Sequence, residues 1–150
     1  MNKSGLIQSS IVVLSLFAAQ MAIAQSSPAG LWKTIDDKTG KVKSLVRISE
    51  SGGEFQGKIE KLFREADQEQ NPKCDKCEGS NKDQPLIGLT ILFNIKKEGD
   101  EFGGGKILDP ANGKLYSSKL KLIESNKKLE VRGYIGMPMF GRTQTWVREE

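Results

Sequence analysis

The chain contains no histidine, and that single absence removes a large part of enzyme chemistry. Neither a Ser-His nor a Cys-His dyad can be assembled, and the commonest protein metal ligand is missing. Cysteine is scarce: two residues in 150. A four-ligand zinc site would have to recruit carboxylates or a second subunit, so no metal or cofactor is expected. Charge of one sign is not concentrated anywhere. The formal net charge of +4 is spread through mixed stretches such as "KTIDDKTGKVK" and "ESNKKLEVR". A nucleic-acid-binding face gathers Lys and Arg together, so nucleic acid is not an expected partner.

Long apolar runs are also lacking, with one exception at the start. Lys3, the run Ile11–Ala19 and the small residues Ala22-Ile23-Ala24 have the order of an export leader with its cleavage site. The run is shorter than the ~20 residues that a permanent membrane helix needs. The expected organisation is a signal peptide over 1–24 and a single domain over 25–150, with no transmembrane anchor left after cleavage. Lys3 is the only charge in the leader, so the domain carries one positive charge less than the whole chain.

After the leader no stretch sustains a helical apolar period. Short apolar runs recur instead, broken by "DDKTGK", "SGG", "KEGD", "DPANGK" and "ESNK", which supply Gly, Asn or Asp-Pro where turns need them. Eight strands are expected: Leu31–Asp36, Lys43–Glu50, Glu54–Leu62, Leu86–Lys96, Glu101–Leu108, Lys114–Ile123, Lys128–Ile135 and Phe140–Arg148. Hairpin-length connectors pair them antiparallel. Eight such strands leave exposed edges unless they close, so the expected fold is all-β, an eight-stranded up-and-down barrel, with a two-sheet sandwich as the alternative. One connector, Arg64–Pro85, is long, polar and charged, and its start "LFREADQEQN" reads as a short helical turn.

That loop holds Cys74 and Cys77 in "NPKCDKCEG". A redox-active CxxC sits at a helix N-terminus, where its thiol pKa is lowered, whereas Asp75 and Glu78 here would raise it. In an oxidising compartment, two cysteines with none left over read as a structural disulfide that closes the loop.

Gly30-Leu31-Trp32 opens the first strand, and Trp146 and Arg148 lie on the last. This pairing resembles the signature of lipocalin and calycin barrels, where a Trp plugs one end and a guanidinium lies over its ring. The blocks "GLWKTIDDKTGKVKSLVRI", "CDKCEG", "PLIGLTIL", "GGGKILDPANGKLYSSKLKL" and "VRGYIGMPMFGRTQTWVR" are similar, in that order, to the exported bacterial domain-of-unknown-function family 2147. The resemblance implies a periplasmic or secreted protein of a Gram-negative bacterium with a calycin-like barrel. It lends no catalytic residue.

Candidate ligand-binding residues are Arg132, Tyr134, Arg142 and Gln144. Arg132-Gly133-Tyr134 resembles the Arg-x-Tyr with which fatty-acid-carrying calycins hold a carboxylate. Arg142 and Gln144 share a strand phase with Trp146. Leu129, Val131 and Ile135 occupy the phase opposite to Arg132 and compete with it for the interior, unless a bulge at Gly133 or Gly136 re-aims the strand. "DEFGGGK" is not a phosphate loop, since its lysine is followed by Ile107 and its glycines fall within a strand. Gly136–Met139 reads as a turn, a hairpin tip or a rim. The leading expectation is a non-catalytic exported barrel that binds a small amphipathic or anionic, fatty-acid-like molecule. The rival is a filled structural module that meets an envelope protein through residues 64–85.

Overall fold

Runs rich in β-branched and aromatic side chains, bounded by Gly, Asn and Asp, become eight strands in the computed structural model, which describes residues 26–150. The expected leader lies outside the described residues. The strands are β1 (Gly30–Ile35), β2 (Val42–Ser51), β3 (Glu54–Leu62), β4 (Thr90–Glu98), β5 (Glu101–Asp109), β6 (Lys114–Ile123), β7 (Lys128–Tyr134) and β8 (Arg142–Arg148). Each pairs antiparallel with the next, and β8 returns to β1, giving a closed barrel. Closure removes the unpaired sheet edges that an open meander would expose. The closing seam is short. Trp32 faces Arg148 and Lys33 faces Val147, and the chain end extends it by hydrogen bonds from Leu31 N to Glu150 O (3.2 Å) and from Glu149 N to Leu31 O (2.7 Å).

Period-two alternation sends one set of side chains inward. Trp32 pairs with Val46 and Val46 with Ile59, while Leu122, Leu129 and Trp146 form a second row across three strands. Ile48, Leu92, Ile95 and Leu120 complete the most deeply buried set, and Phe55 meets Phe102 edge to face at 5.3 Å. The glycines of "DEFGGGK" mark a register shift in β5 between Phe102 and Gly105. A Cβ on Gly105 would stand 2.0 Å from the Phe93 carbonyl oxygen, so this close approach of β4 requires glycine.

The barrel has two unlike ends. At one lie the start of β1, the end of β8 and three tight turns, 52–53, 99–100 and 124–127. At the other lie the connectors 36–41, 63–89, 110–113 and 135–141, which form a rim.

Four expectations shift at the rim. β4 begins at Thr90 rather than Leu86, because Leu86 N turns aside to Pro72 O and Leu89 N to Leu86 O. β8 begins at Arg142 rather than Phe140, since Pro138–Phe140 form a 3₁₀ turn. β7 stops at Tyr134, leaving Ile135 exposed rather than interior. The long loop has its one short helix at Gly79–Asn81, and its start "LFREADQEQN" contributes only the turn closed by Gln68 N to Glu65 O.

The loop is ordered by its own bonds. Cys74 and Cys77 are joined in a disulfide and both are buried. Cys74 N donates to Gln84 O (2.8 Å), Asp83 N to Cys74 O (2.9 Å), and Lys73 bridges Pro85. The clasp docks on the β5–β6 turn at Gly113, whose φ is +73°. A Cβ there would overlap the Lys76 carbonyl oxygen at 1.8 Å, so only glycine admits the loop.

Candidate functional site

The Trp32 end is built as a plug. The indole Nε1 donates to Pro28 O at 2.8 Å, and the Arg148 guanidinium lies 4.2 Å from the ring centroid. Arg148 spends its donors on three carbonyls from two segments: Asn126 O (2.7 Å), Ala29 O (3.0 Å) and Ser27 O (3.0 Å). Burial pushes its pKa down, yet a guanidinium keeps its charge across the working range. This arrangement ties the irregular segment before β1, the β6–β7 turn and β8 together, and leaves the end shut.

The rim is different. Every exposed large apolar side chain among the described residues lies there: Phe63, Ile87, Leu115, Ile135, Met137, Met139 and Phe140. Scattered single apolar residues on a surface are ordinary, but seven confined to one end of a barrel are not. Lys61 Nζ stands over the Phe63 ring at 4.8 Å. A shallow groove of about 390 Å³ opens between the long loop and β4, lined in part by Ser80, Asn81, Gln84, Ile87 and Phe93.

Between plug and rim the interior becomes polar. Thr34 and Ser44, both buried, share a hydrogen bond of 2.6 Å. Ser118 is fully buried between Gly105 and Gly133, and the row beside it holds Leu120, Val131 and Gln144. Two buried polar side-chain atoms among the described residues have no hydrogen-bond partner, Ser118 Oγ and Trp146 Nε1. Both belong to the inward phase. An orphaned buried donor costs roughly 1–3 kcal/mol, so these two atoms are local weak points of an otherwise satisfied interior.

The four residues nominated from sequence are not brought together. β7 runs in unbroken register against both neighbours, with Leu129 opposite Trp146 and Val131 opposite Gln144. That register gives Leu129 and Val131 the interior and turns Arg132 and Tyr134 outward; no bulge at Gly133 re-aims them. Arg132 instead braces the rim from outside, donating to Pro138 O (2.6 Å) and Thr143 Oγ1 (2.8 Å). Arg142 and Gln144 do share the inward phase with Trp146. At the mouth both meet Asp37, Gln144 Nε2 at 3.2 Å and Arg142 at 3.8 Å from Oδ2. Asp37 therefore engages both of these mouth side chains. Sequence reading missed Asp37, Ser118 and most of the rim. The visible signal was "IGMPMFG", seven uncharged residues shortly after Arg132 and directly before Arg142.

The neighbouring Asp36 caps the β1–β2 turn. Its carboxylate accepts from Thr39 N (2.8 Å) and Lys38 N (3.0 Å). These bonds, those of Thr39 first, hold its pKa below the ordinary aspartate value.

A closed eight-stranded barrel, plugged by a Trp–Arg pair and rimmed by longer loops at the far end, is a lipocalin-like fold. The sequence matches the family described as "Uncharacterized protein conserved in bacteria (DUF2147)" over residues 30–148, and the chain belongs to that family. Among solved structures it is similar to protein HP1028 from Helicobacter pylori, described as belonging to the lipocalin family. That likeness has a TM-score of 0.68 and 23% identity over 83% of this chain and 84% of the other. No curated protein matches it. No helix among the described residues is long and apolar enough to cross a membrane.

Proposed function

We propose that this protein is a non-catalytic exported barrel that takes a small amphipathic, anionic molecule through its rim. The observation that carries the reading is the pair of unpartnered interior atoms, Ser118 Oγ and Trp146 Nε1, below a mouth ringed by apolar side chains. An anionic head at the mouth would draw charge-assisted hydrogen bonds from Arg142 and an amide hydrogen bond from Gln144. It would displace Asp37, whose solvent-exposed contact with Arg142 is worth at most about 1 kcal/mol. The apolar part would lie against Leu120 and Val131, toward Trp146. Arg132 and Tyr134 face outward, so their part in this reading is to support the rim. The lipocalin-like neighbour and the disulfide agree with an exported carrier.

Native mass spectrometry of protein purified gently from its own envelope tests the proposal. A bound mass that extracts into organic solvent as an acidic amphiphile supports it. Homogeneous unliganded protein that also fails to bind added dodecanoate would refute it. Residues 64–85 remain the candidate surface for an envelope partner, and the disulfide that docks this loop on Gly113 favours it as a shaped, ordered surface. In-cell crosslinking from Glu69 or Lys82 checks that second reading.

A further inference from the structure

Residues 135–141, "IGMPMFG", carry no charge and present four large apolar side chains to solvent. Ile135 is 66% exposed, Met137 55%, Met139 68% and Phe140 76%. A loop this apolar normally folds its side chains onto the body of the protein; here the geometry holds them away. Pro138 and the 3₁₀ turn fix the tip, with Phe140 N donating to Met137 O (3.1 Å) and Gly141 N to Pro138 O (3.2 Å). Arg132 grips the Pro138 carbonyl from below. A Cβ on Gly141 would lie 2.4 Å from the Gly133 carbonyl oxygen, so the turn folds tightly back on β7. Two tip amides, those of Phe140 and Gly141, and the carbonyls of Met137 and Pro138 are satisfied within the loop and by Arg132, which lowers the cost of bringing the tip to an apolar boundary.

Charge flanks the tip in a definite pattern. From Val131 to Arg148 there is no acidic residue, and Arg132 and Arg142 stand at the two feet of the loop. Arg132 has no carboxylate within ion-pair distance among the described residues, and Arg142 meets only Asp37, at 3.8 Å and in solvent. Apolar tip above, cations below: this matches the depth profile of an anionic lipid leaflet, where side chains enter the acyl boundary and Arg lies at the phosphates.

We infer that the 135–141 loop docks the rim of the barrel onto an anionic lipid surface. The inference goes beyond the binding reading and stands without it, since it concerns the outside of the rim. If both hold, the mouth is set down where amphiphiles reside.

The test uses residues 25–150, the domain expected after the leader, which contain all eight strands. Vesicles of phosphatidylethanolamine with about one quarter phosphatidylglycerol are compared with pure phosphatidylcholine by sedimentation. Wild-type protein binds the anionic vesicles more tightly. Phe140→Trp, read in a Trp32→Phe/Trp146→Phe background, moves its emission to the blue and is quenched by brominated lipid. Met139→Ser/Phe140→Ser loses binding at least about tenfold, because each side chain contributes roughly that factor when buried in an apolar phase. Arg142→Gln loses about fivefold on anionic vesicles alone. Circular dichroism and thermal melting of each variant establish that it is folded. Absence of vesicle binding, an unshifted Phe140→Trp, or equal binding by the double serine variant overturns the inference, as does capture of a protein by this loop without vesicle binding. Dodecanoate binding in solution is measured separately, so failure of docking and failure of the binding proposal are distinguishable.

Discussion

Replacing Arg148 with Met removes the tie between the plug and the barrel seam, and the cost can be estimated from its contacts. Three hydrogen bonds from a charged donor to the carbonyls of Asn126, Ala29 and Ser27 are lost. Each is worth roughly 1.5 kcal/mol net of exchanged water, the low end for a charged donor because these bonds are only partly buried. The stacking over Trp32 adds about 0.5–2 kcal/mol. Against this stands about 2 kcal/mol of side-chain entropy. The carbonyls at this end can also be rehydrated. The net loss expected for Arg148→Met is about 3 kcal/mol. For a domain of this size that shifts the melting midpoint down by roughly 10 °C. Arg148→Lys retains a cation near the ring but cannot span three carbonyls with one ammonium, so it should lose about half as much. Urea unfolding followed by tryptophan fluorescence gives both values. A loss below about 1 kcal/mol for Arg148→Met, or wild-type stability for Arg148→Lys, would refute the idea that this residue locks the end.

Three further outcomes follow from other parts of the molecule. Asp37→Asn removes the carboxylate that meets Gln144 and Arg142, and dodecanoate binding measured by calorimetry should tighten two- to fivefold, about 0.5–1 kcal/mol; weakened binding would mean that Asp37 positions these two donors rather than competing for them. Cys74→Ser/Cys77→Ser should cost on the order of 2 kcal/mol in urea unfolding and expose the amides of Cys74 and Asp83 to rapid hydrogen exchange. The pKa of Asp36 is depressed in the folded state, so its cap on the β1–β2 turn is fully present above the ordinary aspartate value of about 3.9. As pH falls through the lower folded value the cap is lost, and the Thr39 amide resonance should report that titration; a midpoint at or above the ordinary value would contradict the hydrogen bonds assigned to it.

The barrel was readable because its information is local. Alternation in Lys119–Leu122 and Leu129–Val131 assigns inside and outside residue by residue, and "SGG", "KEGD" and "ESNK" end their strands where φ turns positive. The Trp32–Arg148 stack followed from two short patterns at opposite ends of the chain. The site was harder to read, for a physical reason visible in β7. Arg132 and Tyr134 form an anion-holding pattern only if their phase faces inward, and that depends on register against β6 and β8, which is set by distant residues. The competing claim of Leu129 and Val131 stood in the sequence and is the one that packing satisfied. Asp37 and Ser118 were invisible because neither has a motif; one stands out through a partner 107 positions away, the other through lacking a partner among the described residues. Ile135 and Phe140 resembled strand termini. A Pro-nucleated turn converted them into exposed rim residues, which composition alone does not distinguish.

The central claim is that a guest enters by the rim and reaches the interior row containing Trp146. The two indoles differ in a way nuclear magnetic resonance can read directly: Trp32 Nε1–H is bonded to Pro28 O, whereas Trp146 Nε1–H has no partner among the described residues. On titrating ¹⁵N-labelled protein with dodecanoate, the Trp146 indole resonance should move saturably while that of Trp32 stays in place. Both resonances holding still at concentrations that saturate any detectable binding, or Trp32 alone moving, would contradict the account.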